Sequence, residues 1–221
     1  MKVAFETSPS FRLHDPRPTQ KENPYTFHLP SEEELAEVGI GTIVKLIFSA
    51  VPESEQYDAE RMWVIVERRD GSNLLGRLDN TPEDIPALTL GDPVEFKIHH
   101  IVGIDWDDPE LQMRFSNDFN KWFGRCFVDD AVLERRARVG YVYREDSEHE
   151  EEDKYPDTGW RIRADVEQLS QEEYDDTPCS YVAIGAVLNR DDSFVHLLSE
   201  PVGSRFLRTQ GDSYERCQEE E

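Results

Sequence analysis

Apolar and polar residues alternate most regularly between Val94 and Val102. Val94, Phe96, Ile98, His100 and Val102 interleave with Glu95, Lys97, His99 and Ile101. A period of two predicts a strand with one wet face. Upstream, Met62, Val64 and Val66 face one way and Trp63 and Ile65 the other, and Asp70-Gly71 offers a turn. That pattern predicts a hairpin. The β-rich run "GTIVKLIFSAV" at 41–51 completes a small, mostly antiparallel β domain over 41–106. Before it, "SEEELAEVG" predicts one or two helical turns, with Ser31 as cap, Glu34 closing a capping box and Gly39 ending the helix. After it the period changes. Leu111, Phe115, Phe119, Trp122 and Phe123 share one helical face, Asp108 can cap, Pro109 suits the first position and Gly124 ends the helix.

The second half predicts shorter pieces. Cys126 to Val128 is a short apolar run, "DDAVLER" a helical turn, and "RVGYVYRE" and "GWRIRADV" two strands that can pair as a hairpin with a long loop. "SQEEYDDT" is a helical turn or a loop. "CSYVAIGAVLNR" is one apolar run of helical or strand type, Phe194–Leu198 a short helix and Arg205–Arg208 a final strand. The fold class expected is α+β: two small β-rich domains, mostly antiparallel sheets with a few short helices. The layout expected is an irregular, Pro-rich arm over 1–30, a β domain with a covering helix over 31–123, an α+β domain over 124–215 and a frayed acidic tail over 216–221.

Only 37 % of the residues are hydrophobic, but 11 Phe, 8 Tyr and 4 Trp supply large buried areas, so the chain reads as folded. The formal net charge is −24, from 48 acids against 24 bases. Such a surface repels nucleic acid and anionic lipid and attracts basic proteins. General solubility or adaptation to high salt explains the same excess. The N-terminus lacks the apolar core of a signal peptide, no run approaches a membrane span, and Cys126, Cys179 and Cys217 form no disulfide or zinc framework. A reducing cytoplasm is the expected compartment. The oligomeric state is left open.

The acids concentrate in "REDSEHEEEDKYPDTGW", where Glu145, Asp146, Glu148, Glu150, Glu151, Glu152 and Asp153 crowd one segment. His149 has Asp153, not a second His, four residues on, and the run lacks the central Gly of a calcium loop. A solvated loop outweighs a metal site. The acids at Asp105–Glu110 suit a helix N-terminus. His99 and His100, adjacent on a strand, would point to opposite faces. No nucleophile elbow, phosphate loop or dinucleotide loop is present. No cofactor, metal or catalytic residue is expected. Arg161 and Arg163, alternating with Trp160 and Ile162, can form salt links back to the acid run.

Four ordered pieces, "VGYVYRED", "DTGWRI", "VLNRDDSFVHLL" and "EPVGSRFLR", resemble a bacterial immunity-protein family, domain thirty-three, formerly domain of unknown function 2185. The resemblance spans about 124–215 and rests on Arg144, Asp157, Gly159, Trp160, Asn189, Pro201, Gly203 and Arg208. Thr158 stands where the family usually has Ser, and Ala164-Asp165-Val166 where it has a Gly-Asp-Glu turn. The first half is similar to domain of unknown function 2314, through Met62-Trp63, Gly76 to Pro82 with Leu78 and Asn80, Gly91-Asp92 and Asp105-Trp106. The resemblance implies an immunity protein that binds and neutralises a cognate toxin in the cytoplasm without catalysis. A basic toxin would be drawn to the seven acids from Glu145 to Asp153. Two other readings stay open: a hydrolase that reverses a toxin's modification, and a salt-adapted acidic scaffold with no toxin partner.

Overall fold

The computed structural model describes residues 7–8, 11–53, 56–116, 121–147 and 155–217. By their internal contacts the residues fall into two units, 1–22 with 27–117 and 23–26 with 118–221. The elements run β1 (Thr7–Ser8), β2 (Phe11–Leu13), α1 (Arg17–Glu22), α2 (Glu32–Glu37), β3 (Ile43–Ala50), β4 (Glu60–Asp70), β5 (Asn73–Leu78), β6 (Pro93–Lys97), β7 (Gly103–Asp105) and α3 (Pro109–Arg114). They continue as β8 (Arg125–Asp129), α4 (Asp130–Leu133), β9 (Val139–Arg144), β10 (Asp157–Ala164), α5 (Gln171–Asp176), β11 (Cys179–Ala183), α6 (Ile184–Leu188), β12 (Arg205–Arg208) and β13 (Tyr214–Arg216). Two sheets with antiparallel pairing almost throughout, plus short helices, make this an α+β fold.

The first sheet runs β1-β2-β3-β4-β5-β6, all antiparallel, and β7 joins β3 at the end opposite β2. Met62, Val64 and Val66 point into a core with Val44, Leu46, Phe48, Val94 and Phe96. Trp63 stays half-buried, its amide donating to Asn80 Oδ1 at 2.5 Å. The 31–39 helix forms as α2. Ser31 Oγ accepts from Glu34 N at 3.1 Å, while the Glu34 side chain turns inward to accept from Trp106 Nε1 at 3.3 Å.

Three expectations change. The segment 1–30, expected to be irregular, holds β2 and α1, because Phe11 and Leu13 are buried against the sheet. The alternation from Val94 stops as a strand at Lys97. Ile98–His100 wind into one 3₁₀ turn, which brings His99 and His100 edge to face at 4.4 Å instead of onto opposite faces. The helix expected to reach Phe123 ends at Arg114, and Phe119 lies outside the described residues. Trp122 joins the core of the second unit instead.

The second sheet runs β11-β8-β10-β9-β12-β13, with β8 and β10 its parallel pair. β9 and β10 pair antiparallel, as a hairpin with a long connection. One face packs Cys126, Val128, Val139, Val142, Trp160, Ile162 and Phe206 against Ala131 and Val132 of α4 and Ile184, Val187 and Leu188 of α6. The apolar run at 179–190 divides at Ala183 into strand and helix.

Candidate functional site

α4 and α6 cover one face of the second sheet, and the residues that alternate with its core form the other face. Register places Tyr181 beside Phe127, Phe127 beside Arg161, Arg161 beside Tyr143 and Tyr143 beside Arg205. That is one row across five strands. In a second row Arg163 lies beside Tyr141 and Tyr141 beside Leu207. Phe127 and Tyr181 meet at 4.9 Å between centroids, and Tyr141 and Tyr143 stack at 5.3 Å. Arg161 covers Phe127 at 4.9 Å, and Arg163 covers Tyr174 of α5 at 5.5 Å. Phe127 is 39 %, Tyr181 45 % and Leu207 52 % exposed. Aromatic side chains with arginine on a flat face are the composition of binding hot spots.

An open groove of about 560 Å³ runs along this face, lined among others by Tyr141, Tyr143, Arg163, Tyr174, Val202 and Arg205. Burial pushes the Tyr141 and Tyr143 hydroxyls above the ordinary tyrosine range, and the Glu145 carboxylate adds to the effect on Tyr143. Glu145 and Asp146 also line this groove, both exposed. Glu145 accepts from Arg161 Nε at 2.9 Å, and Arg161 also forks onto Asp157 at 3.0 Å. Arg163 pairs with buried Asp129 at 3.0 Å and, among the described residues, makes no such link to the acid run. Glu148, Glu150, Glu151, Glu152 and Asp153 lie outside the described residues.

The eight motif residues hold the second unit together. Gly159 sits at φ +80°, and a Cβ there would lie 2.1 Å from Glu145 O. Trp160 is 1 % exposed and fills the core. Asp157 Oδ1 accepts from Gly159 N at 2.9 Å, clamping that turn. Arg144 donates to Thr158 O at 3.0 Å and to Glu200 O at 2.8 Å. Pro201 and Gly203, at φ +89°, form the turn into β12, with Gly203 N donating to Arg144 O at 2.8 Å. The Arg208 side chain, 5 % exposed, donates to both Asp191 oxygens at 3.1 and 2.8 Å and to Ser193 Oγ. Asp191 in turn accepts from Val139 N at 2.9 Å. Asn189 binds Tyr25 N and Thr26 Oγ1.

The exposed aromatic row was not singled out from the sequence. Its signal was present, since Phe127, Tyr141, Tyr143, Arg161 and Arg163 alternate with core residues along their strands. Among the described residues no group of three or more His, Cys, Asp or Glu side chains is placed to hold a metal ion. Among them, too, no helix is long and apolar enough to cross a membrane. Cys126, Cys179 and Cys217 are free thiols, and burial pushes Cys126 up to about 12.

Residues 126–218 match the model of the immunity protein Imm33 domain. Residues 27–110 match that of DUF2314, described as an uncharacterized protein conserved in bacteria. No curated protein and no solved structure matches the chain.

Proposed function

We propose, for a chain that joins a DUF2314 match to an Imm33 immunity-domain match, that it captures a basic toxin on the open sheet face of its second unit. The observation that carries this reading is the groove in which Tyr141, Tyr143 and Arg205 lie alongside Glu145 and Asp146. The aromatics supply desolvated contact area at low entropic cost. The acids from Glu145 to Asp153 supply the approach field, which acts on a cationic partner over about 8–10 Å. Inhibition follows from occupying the toxin's surface in the cytoplasm, and it needs no bond-making step.

Binding kinetics against a toxin protein encoded by a neighbouring gene test both halves. Phe127→Ala with Tyr143→Ala should speed dissociation and weaken Kd by about 30-fold, equivalent to ~2 kcal/mol. Neutralising Asp146, Glu148, Glu150, Glu151, Glu152 and Asp153 to their amides should instead slow association and flatten its salt dependence. Wild-type rates in both variants would leave the reading without support.

A further inference from the structure

One short segment of the chain is bound by the second unit as a ligand would be. Asn23–Thr26 belongs to that unit, although Glu22 before it and Phe27 after it belong to the first. It lies outside both family matches, which cover 27–110 and 126–218. Its contacts are those of peptide recognition. Asn189 Oδ1 accepts from the Tyr25 backbone N at 2.9 Å, and Asn189 Nδ2 donates to Thr26 Oγ1 at 2.7 Å. The Tyr25 hydroxyl donates to Asp192 Oδ2 at 2.8 Å, and its ring meets Trp122 edge-on at 5.8 Å. Gly185 is the floor. A Cβ there would lie 3.0 Å from Tyr25 O, 2.9 Å from Thr26 Cγ2 and 3.1 Å from Trp122 Cβ.

Gly185, Asn189 and Asp192 come from α6 and the residues after it, and Trp122 from the segment before β8. α6 packs on the core through Ile184, Val187 and Leu188, which leaves Gly185 and Asn189, one turn apart, on its outer side. The cleft therefore lies on the helical side of the sheet, away from the aromatic row. Burial, together with Asp192, pushes Tyr25 up to about 12, as expected of a phenol held neutral in its donor role. Asn189 is a motif residue, and it spends both ends of its amide on a segment 163 and 164 residues distant. A backbone N–H and a small hydroxyl are read by the two ends of the Asn189 amide, and the phenol by Asp192.

We propose that Trp122, Gly185, Asn189 and Asp192 form a binding site for a tyrosine-containing peptide held in a turn, and that Asn23–Thr26, whose Thr26 N donates to Asn23 O at 3.2 Å, fills it in cis. This site is independent of the toxin-capture reading. A segment tethered on both sides has an effective concentration of about millimolar, so a free peptide competes poorly until the resident one is removed.

The test uses the full chain and a fluorescein-labelled peptide with the sequence of residues 20–29. Fluorescence anisotropy is measured with wild type, with Tyr25→Ala, and with Tyr25→Ala combined with Asn189→Ala. Tyr25→Ala should bind the peptide at least tenfold more tightly than wild type, and adding Asn189→Ala should remove most of that gain. A peptide carrying Phe in place of Tyr should bind several-fold more weakly. Should Tyr25→Ala fail to fold, the double variant Tyr25→Phe, Thr26→Val decides the matter. It keeps the ring packing and deletes both side-chain hydrogen bonds, so it should take up the peptide more tightly than wild type. A folded, emptied variant that binds the peptide no better than wild type overturns the proposal. So does binding that is indifferent to Asn189.

Discussion

Gly159 and Gly203 are both motif glycines at positive φ, and they are constrained for different reasons. At Gly203 nothing lies within 4 Å of where a Cβ would stand, so only the backbone conformation resists a side chain. At Gly159 the same penalty is joined by overlap with Glu145 O at 2.1 Å, a backbone atom that cannot rotate away. Gly203→Ala should therefore cost about 1–2 kcal/mol and Gly159→Ala at least ~3 kcal/mol. Urea unfolding of the two variants measures the difference. Equal losses would mean that the β9–β10 junction relaxes at no cost. Gly159 also positions the groove's edge, since Glu145 N donates to Gly159 O at 2.9 Å and starts the acid run from a fixed point.

Among the elements, β2 has the clearest titratable anchor. His14, just past its end, donates from Nε2 to Ser49 Oγ at 2.5 Å, and Ser49 Oγ donates onward to Asp58 O at 2.7 Å. Burial first, and the Arg12 charge second, hold the His14 pKa below its ordinary 6.5. The unfolded chain therefore takes up a proton before the folded one does. The stabilisation is complete above about pH 6.5 and is lost as pH falls from there through the lowered value. Amide exchange in Phe11–Leu13 should quicken between pH 7 and 5 beyond the intrinsic change. His14→Gln should remove that extra acceleration. An unaltered pH profile in the variant would assign the effect elsewhere. α5 shows how a very short helix persists. Ser170 and Glu173 close a capping box, which holds Tyr174 beneath Arg163 at the groove.

At the scale of the whole molecule the excess of negative charge dominates. With 48 acids and 24 bases, carboxylates outnumber cations two to one. Several Arg residues are already committed internally, as with Arg161, Arg163 and Arg208. Self-repulsion then weakens the compact state and is screened by salt. The melting temperature should rise by a few degrees from 20 mM to 500 mM NaCl, and equally in KCl. A flat or falling melting temperature over that range would show that local ion pairs outweigh the net field. The proposed toxin complex should respond in the opposite sense, because the same screening slows its association.

Local rules acting over a few residues were legible in the sequence. The β4–β5 hairpin, the Ser31 and Asp108 caps, strands within "RVGYVYRE" and "GWRIRADV" and at 205–208, and the α+β class all follow from periodicity and capping chemistry. So did the acidity of the segment beginning at Glu145. Other features depend on what lies across from a residue in space. Alternation in "RCFVD" or "GWRIRA" defines two faces but does not say which one α4 and α6 cover. Only the packed structure turns Phe127, Tyr143 and Arg161 outward as one row. The strand β13, three residues long, exists because β12 offers it an edge. No window of sequence near residue 25 indicates that Tyr25 pairs with Asn189 and Asp192, because the contact closes a loop of more than 160 residues. Periodicity carries information over one turn or one strand, whereas cross-sheet rows and clefts arise from distant segments that meet only on folding.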